Sequence, residues 1–216
     1  YEDIIALFAN GTIKAFIANK SAENPYQNWD TEYNLLTDST LHDFSLADLD
    51  NNGILEIVAV TSGNGISLYN NTDKSISTNG YESAKYTKNN FNDIINDIKF
   101  GDMDNDGDKD IVVALDNGSV CVVENPWNYN RTKTPDERNR LWRNSYLDVA
   151  TLNQASPSGD GALTLLVDDF DMDGYLDVLS GHENGKIYGW ENLGKDSSPY
   201  FDSLLGSDKL LIPKKP

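Results

Sequence analysis

One nine-residue pattern occurs three times in this chain, and it constrains the fold more than any other feature. Asp48-Leu-Asp-Asn-Asn-Gly-Ile-Leu-Glu56, Asp102-Met-Asp-Asn-Asp-Gly-Asp-Lys-Asp110 and Asp169-Phe-Asp-Met-Asp-Gly-Tyr-Leu-Asp177 all read acid-x-acid-x-Asp/Asn-Gly-x-x-acid. A short β-branched or apolar run follows each: Ile57–Val60, Ile111–Ala114 and Val178–Leu179. An Asn-Gly pair comes next, at Asn64-Gly65, Asn117-Gly118 and Asn184-Gly185. A truncated fourth copy opens the chain, with Asp3 in the place of Asp110 and Asn10-Gly11 as its turn. The acid-to-Asn offset is 7, 8, 7 and 7 residues, and the Asn-Gly pairs are 54, 53 and 67 apart. Self-similarity of this length is the mark of a repeat architecture.

The runs after the acidic segments are too short for helices and rich in Ile and Val, so they read as strands. Asn-Gly between two such runs predicts a hairpin, with type I′ turns if both central residues take φ > 0. The return strands are then Thr12–Ala18, Ile66–Tyr69, Ser119–Val123 and Lys186–Trp190. Phe44–Ala47, Ile94–Phe100 and Leu163–Val167 supply a strand before each full loop. Aromatic segments near Trp29–Tyr33, Tyr81–Tyr86, Trp142–Tyr146 and Tyr200–Phe201 supply an outer one. Four antiparallel strands per unit of roughly 50 residues is the blade pattern of an all-β propeller. The units fall at about 1–35 (truncated), 36–90, 91–150 and 151–205, with 206–216 as a tail. The longer third interval falls in Asn125–Gly161, a polar stretch that reads as an elaborated surface loop.

Carboxylates at alternate positions with a glycine at the sixth are what the cage of a hard cation requires. Side chains at positions 1, 3 and 5 converge as the chain curls, position 7 offers its carbonyl, and position 9 closes the cage. The side-chain ligands are then Asp48, Asp50, Asn52 and Glu56; Asp102, Asp104, Asp106 and Asp110; and Asp169, Asp171, Asp173 and Asp177. The carbonyls of Ile54, Asp108 and Tyr175 take position 7. Oxygen ligands alone favour Ca²⁺ over zinc, which wants His or Cys, and over Mg²⁺, which demands tighter octahedral geometry. An EF-hand fits less well, because its twelfth-position Glu is replaced by Ala59, Val113 and Ser180. An Asx-rich turn without metal is the plainer alternative.

These units resemble the FG-GAP/VCBS repeats, the calcium-binding blades of integrin α-subunit propellers and of many secreted microbial proteins. Phe100-Gly101 before Asp102 carries the Phe-Gly of the family name, and Gly185–Asn192 resembles its return strand and exit. The resemblance implies a seven- or eight-bladed ring, of which this chain supplies three full units and a truncated one. A closed four-bladed ring, its missing strand supplied by the tail, is the less favoured arrangement. About three ions of structural calcium are expected, each neutralising a cluster of like charges. Weak calcium sites are useful where calcium is millimolar, which points outside the cell or to its surface.

Composition narrows the function. The chain carries 35 Asp and Glu against 17 Lys and Arg, a net charge of −18. That excludes nucleic acid and anionic membrane surfaces, which need a basic face. With 38% hydrophobic residues the chain is globular rather than disordered. No stretch approaches the ~20 apolar residues of a membrane span. The sequence opens at Tyr1 without a signal peptide, and so reads as processed or excerpted. A lone Cys121 in a strand-like run reads as a small buried hydrophobe.

His42 and His182, the two histidines, lack a nearby Ser or Cys nucleophile signature and read as surface or strand-edge residues. Trp29, Trp127, Trp142 and Trp190 read as blade-packing residues rather than sugar platforms. The basic cluster Arg131–Arg143 reads as a solvated loop. Sequons at Asn130, Asn70, Asn19, Asn10 and Asn117 are glycosylation candidates, although turn chemistry alone explains Asn10 and Asn117. The expected function is non-enzymatic: an extracellular, calcium-stabilised module for binding, adhesion or surface assembly, with a protein or glycan partner on its loop faces. The alternative is a carbohydrate-binding propeller or an accessory domain of a polysaccharide-degrading enzyme.

Overall fold

The computed structural model describes residues 3–19, 21, 29–71, 80–81, 86–88, 91, 93–105, 107–123, 125, 149–152, 160–194 and 201–204. Their regular structure is β throughout, and none of them forms a helix long and apolar enough to cross a membrane. Each strand pairs with its neighbour in sequence, always antiparallel. The first sheet has three strands: β1 (Ile4–Leu7), β2 (Thr12–Ala18) and β3 (Trp29–Thr37). Three sheets of four follow. They are β4 (Leu41–Ala47), β5 (Glu56–Thr61), β6 (Gly65–Tyr69) and β7 (Tyr86–Lys88); then β8 (Ile95–Gly101), β9 (Asp110–Leu115), β10 (Val120–Val123) and β11 (Val149–Leu152). The last is β12 (Ala162–Asp168), β13 (Asp177–His182), β14 (Ile187–Asn192) and β15 (Phe201–Leu204).

The strand after each full acidic loop is the second of its sheet. All positions of β5 and β9 are buried, which explains why they read as continuous apolar runs instead of alternating ones. The Asn-Gly hairpins form, but not as type I′ turns. Gly11 N donates to Phe8 O at 2.8 Å, Gly118 N to Leu115 O at 2.9 Å and Gly185 N to His182 O at 3.0 Å. In these three turns the glycine takes positive φ while the asparagine does not. This is the three-residue loop in which a type I turn is followed by a left-handed glycine. The second sheet differs by one residue. Asn64, at φ 54°, takes the left-handed place held by glycine elsewhere, which accounts for its offset of 8.

One outer strand also departs from expectation. The strand paired with β10 is Val149–Leu152, inside the stretch read as a loop, and Trp142–Tyr146 lies outside the described residues. Its antiparallel register places Val149 opposite Val123 and Leu152 opposite Val120.

The chain divides into two units, Tyr1–Ala47 with Gly53–Asn89, and Asp48–Asn52 with Asn90–Pro216. The core of the first gathers Ile13, Ala15, Leu35, Leu41, Ile57, Ala59 and Tyr69. In the second, Met103, Val112, Ala114, Val120 and Val122 pack against Ala162, Leu165, Val178, Tyr188 and Trp190, so its two sheets stack face to face. Cys121 is buried, as its place in an apolar run predicts.

Candidate metal centres

Loops two and three lie wholly within the second unit. Residues 102–109 join β8 to β9, and residues 169–176 join β12 to β13. Each curls through left-handed residues at its fourth and sixth positions: Asn105 (58°) and Gly107 (95°), then Met172 (63°) and Gly174 (94°). Two such reversals bend the loop back onto its own first carboxylate. Gly107 N donates to Asp102 Oδ2 and Gly174 N to Asp169 Oδ2, both at 3.0 Å. Asp173 N donates to Asp169 Oδ1 and Asp171 Oδ1 at 3.1 and 3.2 Å.

The ninth carboxylate opens the following strand and is buried, Asp110 at 2% and Asp177 at 1% exposure. Each is held by two backbone N–H groups. Asp110 accepts from Met103 N (3.0 Å) and Asn125 N (2.7 Å), and Asp177 from Phe170 N (3.1 Å) and Asn192 N (2.8 Å). The result is two carboxylate triplets, Asp102/Asp104/Asp110 and Asp169/Asp171/Asp177, each with oxygens within 4.8 Å of one another.

These triplets are acidic groups that could hold a metal ion. Burial, with smaller contributions from Asp104 and Asp108, pushes the Asp110 carboxyl up to about 8 against the lowering effect of the two N–H bonds. Burial pushes Asp177 up to about 6, helped by Asp171 and Asp173. Crowded carboxylates that resist ionising are the donor set a hard divalent ion would neutralise. A donor set of oxygen atoms alone would suit Ca²⁺.

The other expected ligands are distributed as follows. Asp173 at position 5 is exposed and stands outside its triplet, its Oδ1 accepting from Tyr175 N at 2.9 Å. Asp106 falls outside the described residues. Asp108, expected to offer its carbonyl, also buries its carboxylate, at 1% exposure. Tyr175 and Ile54 are half-buried. In loop one, Asn52 N donates to Asp48 Oδ1 and Asp50 Oδ1, both at 3.1 Å, and Asn51 at position 4 is again left-handed at 55°. Glu56 opens β5 in the first unit and is 3% exposed.

Sequence reasoning missed two residues. Asn125 and Asn192, at 0% and 1% exposure, lie two residues beyond β10 and at the end of β14. Each gives its backbone N–H to the ninth carboxylate and its side-chain amide to two carbonyls. Asn125 Nδ2 donates to Leu49 O (2.7 Å) and Lys109 O (2.9 Å), and Asn192 Nδ2 to Met103 O (2.7 Å) and Leu176 O (3.1 Å). The signal was present in the sequence: the ninth acid is followed 15 residues later by Asn71, Asn125 or Asn192. The truncated unit keeps the backbone half of this arrangement, with Ala18 N donating to Asp3 Oδ1 at 3.0 Å.

His182 corrects the surface or strand-edge reading. It is 5% exposed, with Nε2 2.7 Å from Ser180 Oγ and Nδ1 3.1 Å from Asp160 O. It shares the core-facing side of β13 with Val178 and Ser180, which the two-residue period of a strand requires. Asp160 Oδ2 lies 3.7 Å from Nδ1, and Ser180 is 1% exposed, so the whole cluster is buried against the sheet. His42 is exposed. Trp190, 1% exposed, is a packing residue, and half-buried Trp29 sits 5.9 Å from the Phe16 ring. Trp127, Trp142, Arg131–Arg143 and Asn130 lie outside the described residues. Asn10 is exposed, whereas Asn19, Asn70 and Asn117 are half-buried. Asn10 and Asn117 turn their Oδ1 to the N–H two residues on, at 3.1 and 2.9 Å.

An all-β chain of successive antiparallel sheets carrying acidic hairpin loops is the class that fold and site define. Within it, residues 48–113, from loop one into β9, match the family model of the FG-GAP-like repeat. No curated protein matches the chain. Among solved structures it is similar to a chain from the crystal structure of BBS1N in complex with ARL6DN, soaked with lead. That similarity has 14% identity and a TM-score of 0.43, and covers 87% of this chain and 52% of the other. The chain thus spans about half the length of the solved structure it matches.

Proposed function

We propose that this chain is a calcium-stabilised β-propeller segment that works outside the cell or on its surface as a binding, adhesion or assembly module, and that it is not an enzyme. The observation that carries this reading is the pair of triplets, Asp102/Asp104/Asp110 and Asp169/Asp171/Asp177, built identically on successive hairpins. The match of residues 48–113 to the FG-GAP-like repeat supports the blade reading. So does the succession of antiparallel sheets, each a meander of neighbouring strands. The sheets then make one domain over 1–216, each a blade, and the loops between them form the faces that meet a protein or glycan.

In each cage the first, third and ninth carboxylates bind the ion, and the glycine at position 6 lets the chain close around it. The ion would supply charge neutralisation, which turns binding energy into folding stability. Loop one completes a set of about three ions, with Asp48, Asp50, Asn52 and Glu56 as its donors. For the carbohydrate-binding alternative, Trp190 is buried in the core and so is not available as a sugar platform.

Thermal unfolding with and without excess EDTA, beside calorimetric calcium titration, tests the reading. A large fall in Tm in EDTA, reversed by calcium with about three sites, is the expected result. An unchanged Tm with no heat of calcium binding would sink the metal assignment.

A further inference from the structure

The two cages of the second unit are joined by a continuous run of short contacts through buried groups. Asp177 Oδ1 accepts from Asn192 N at 2.8 Å, Asn192 Nδ2 donates to Met103 O at 2.7 Å, and Met103 N donates to Asp110 Oδ2 at 3.0 Å. All four residues are between 1% and 4% exposed. Asn192 has no polar freedom left, since its second amide hydrogen goes to Leu176 O and its Oδ1 accepts from Gly194 N at 3.0 Å. A second, exposed route runs beside the first. Asn105 Nδ2 donates to Gly174 O at 3.2 Å, and Gly174 N donates to Asp169 Oδ2 at 3.0 Å. Both routes start on a carboxylate of loop three and end in loop two.

We infer that Asn192 and Asn105 couple the two cages, so that a cation held in one loop tightens the other. This rests on the cation reading above. The physical reason is shared order. An ion that fixes Asp177 fixes the Asn192 N–H on it, and the buried amide passes that restraint to Met103 and so to Asp110. The second ion then has less conformational freedom left to remove, which is positive cooperativity without a change of shape. The same wiring runs from Asp110 through Asn125 to Leu49, and from Asn51 Nδ2 to Gly107 O at 2.8 Å, so the direction of coupling repeats from loop to loop. Asn192 and Asn105 act here as positioning residues.

Loop three carries its own reporter. Tyr175 occupies its seventh position, where loops one and two have Ile54 and Asp108. Terbium, a trivalent ion that also seeks oxygen donors, emits when excited through a nearby tyrosine, and the part of the signal lost in Tyr175→Leu belongs to loop three. The experiment titrates terbium into the full chain with loop two intact, then with loop two disabled by Asp102→Asn and Asp104→Asn together. Disabling loop two is expected to weaken the loop-three midpoint by about fivefold or more. In Asn192→Ala, which removes the buried route and leaves the exposed one, the same pair of substitutions is expected to shift the midpoint by less. In Asn192→Ala with Asn105→Gly the shift is expected to be less than about twofold, as a double-mutant cycle requires when both links are gone.

If Asn192→Ala does not fold, Asn105→Gly carries the test. Its side chain is exposed and glycine adopts the left-handed backbone freely, so a reduced shift is expected there too. A loop-three midpoint indifferent to loop two, or an undiminished shift in every asparagine variant that folds, would overturn the coupling. Absence of terbium binding by the unsubstituted chain would overturn the cation reading itself, and the coupling with it.

Discussion

At the scale of single residues, the ninth carboxylate dominates the energetics of each loop. Asp110 and Asp177 are pinned by backbone N–H groups that favour the ion, yet burial and neighbouring carboxylates favour the acid. A carboxyl whose folded pKa lies above its ordinary value of 3.8 holds its proton more tightly when folded. Its contribution to stability is therefore complete below about pH 4 and lost as pH rises through the folded value. With EDTA present, these two groups should lower stability as pH rises through about 6 for Asp177 and about 8 for Asp110, which urea unfolding at pH 5, 7 and 9 would read. Under the proposed calcium reading the ion would compete with those protons, so its affinity should rise over the same range and level off above pH 8. Calorimetric titration at two pH values checks this, and a flat affinity would contradict it.

At the scale of elements, the second unit depends on how closely its two sheets stack. Gly101 ends β8 where a Cβ would come within 2.7 Å of Leu176 Cδ1 and 3.0 Å of Val167 Cγ1. The glycine of the Phe-Gly pair is thus a matter of space between sheets. Gly101→Val should cost on the order of 1–3 kcal/mol by overpacking, measured by chemical denaturation. Trp190, 1% exposed and packed with Val178 and Tyr188, should cost more when truncated: Trp190→Ala loses about 3–5 kcal/mol in the same assay. A loss below about 1 kcal/mol would mean that the face-to-face packing of these sheets is not what holds them.

At the scale of the whole molecule, the net charge of −18 is the governing term. Self-repulsion on this scale destabilises a folded chain unless bound cations or screening ions relieve it. In EDTA, raising monovalent salt from about 0.05 to about 0.5 M should therefore raise Tm. With calcium bound, the same change of salt should move Tm much less, because the most crowded carboxylates are already neutralised. Equal salt dependence in the two conditions would place the stabilising charge elsewhere.

The sequence alone determined the repeat, the antiparallel strands on either side of each acidic loop, and the clustering of the carboxylates at positions 1, 3 and 9. These follow from local periodicity and from residue types whose geometry depends on near neighbours. Even the hairpin offset of 8 at Asn64 was visible, though its meaning was not. Asparagine and glycine both accept left-handed φ, and hydrogen bonding across the turn decides which one does. Tertiary structure decided what depends on contacts between distant segments. Burial of His182 comes from the sheet face it shares with Val178. The strand at Val149–Leu152 comes from its register on β10. The place of Asn192 comes from a carbonyl 89 residues away in the preceding loop. A polar residue that ends a strand looks alike in sequence whether it meets water or another sheet, and only packing of one sheet on the next distinguishes them.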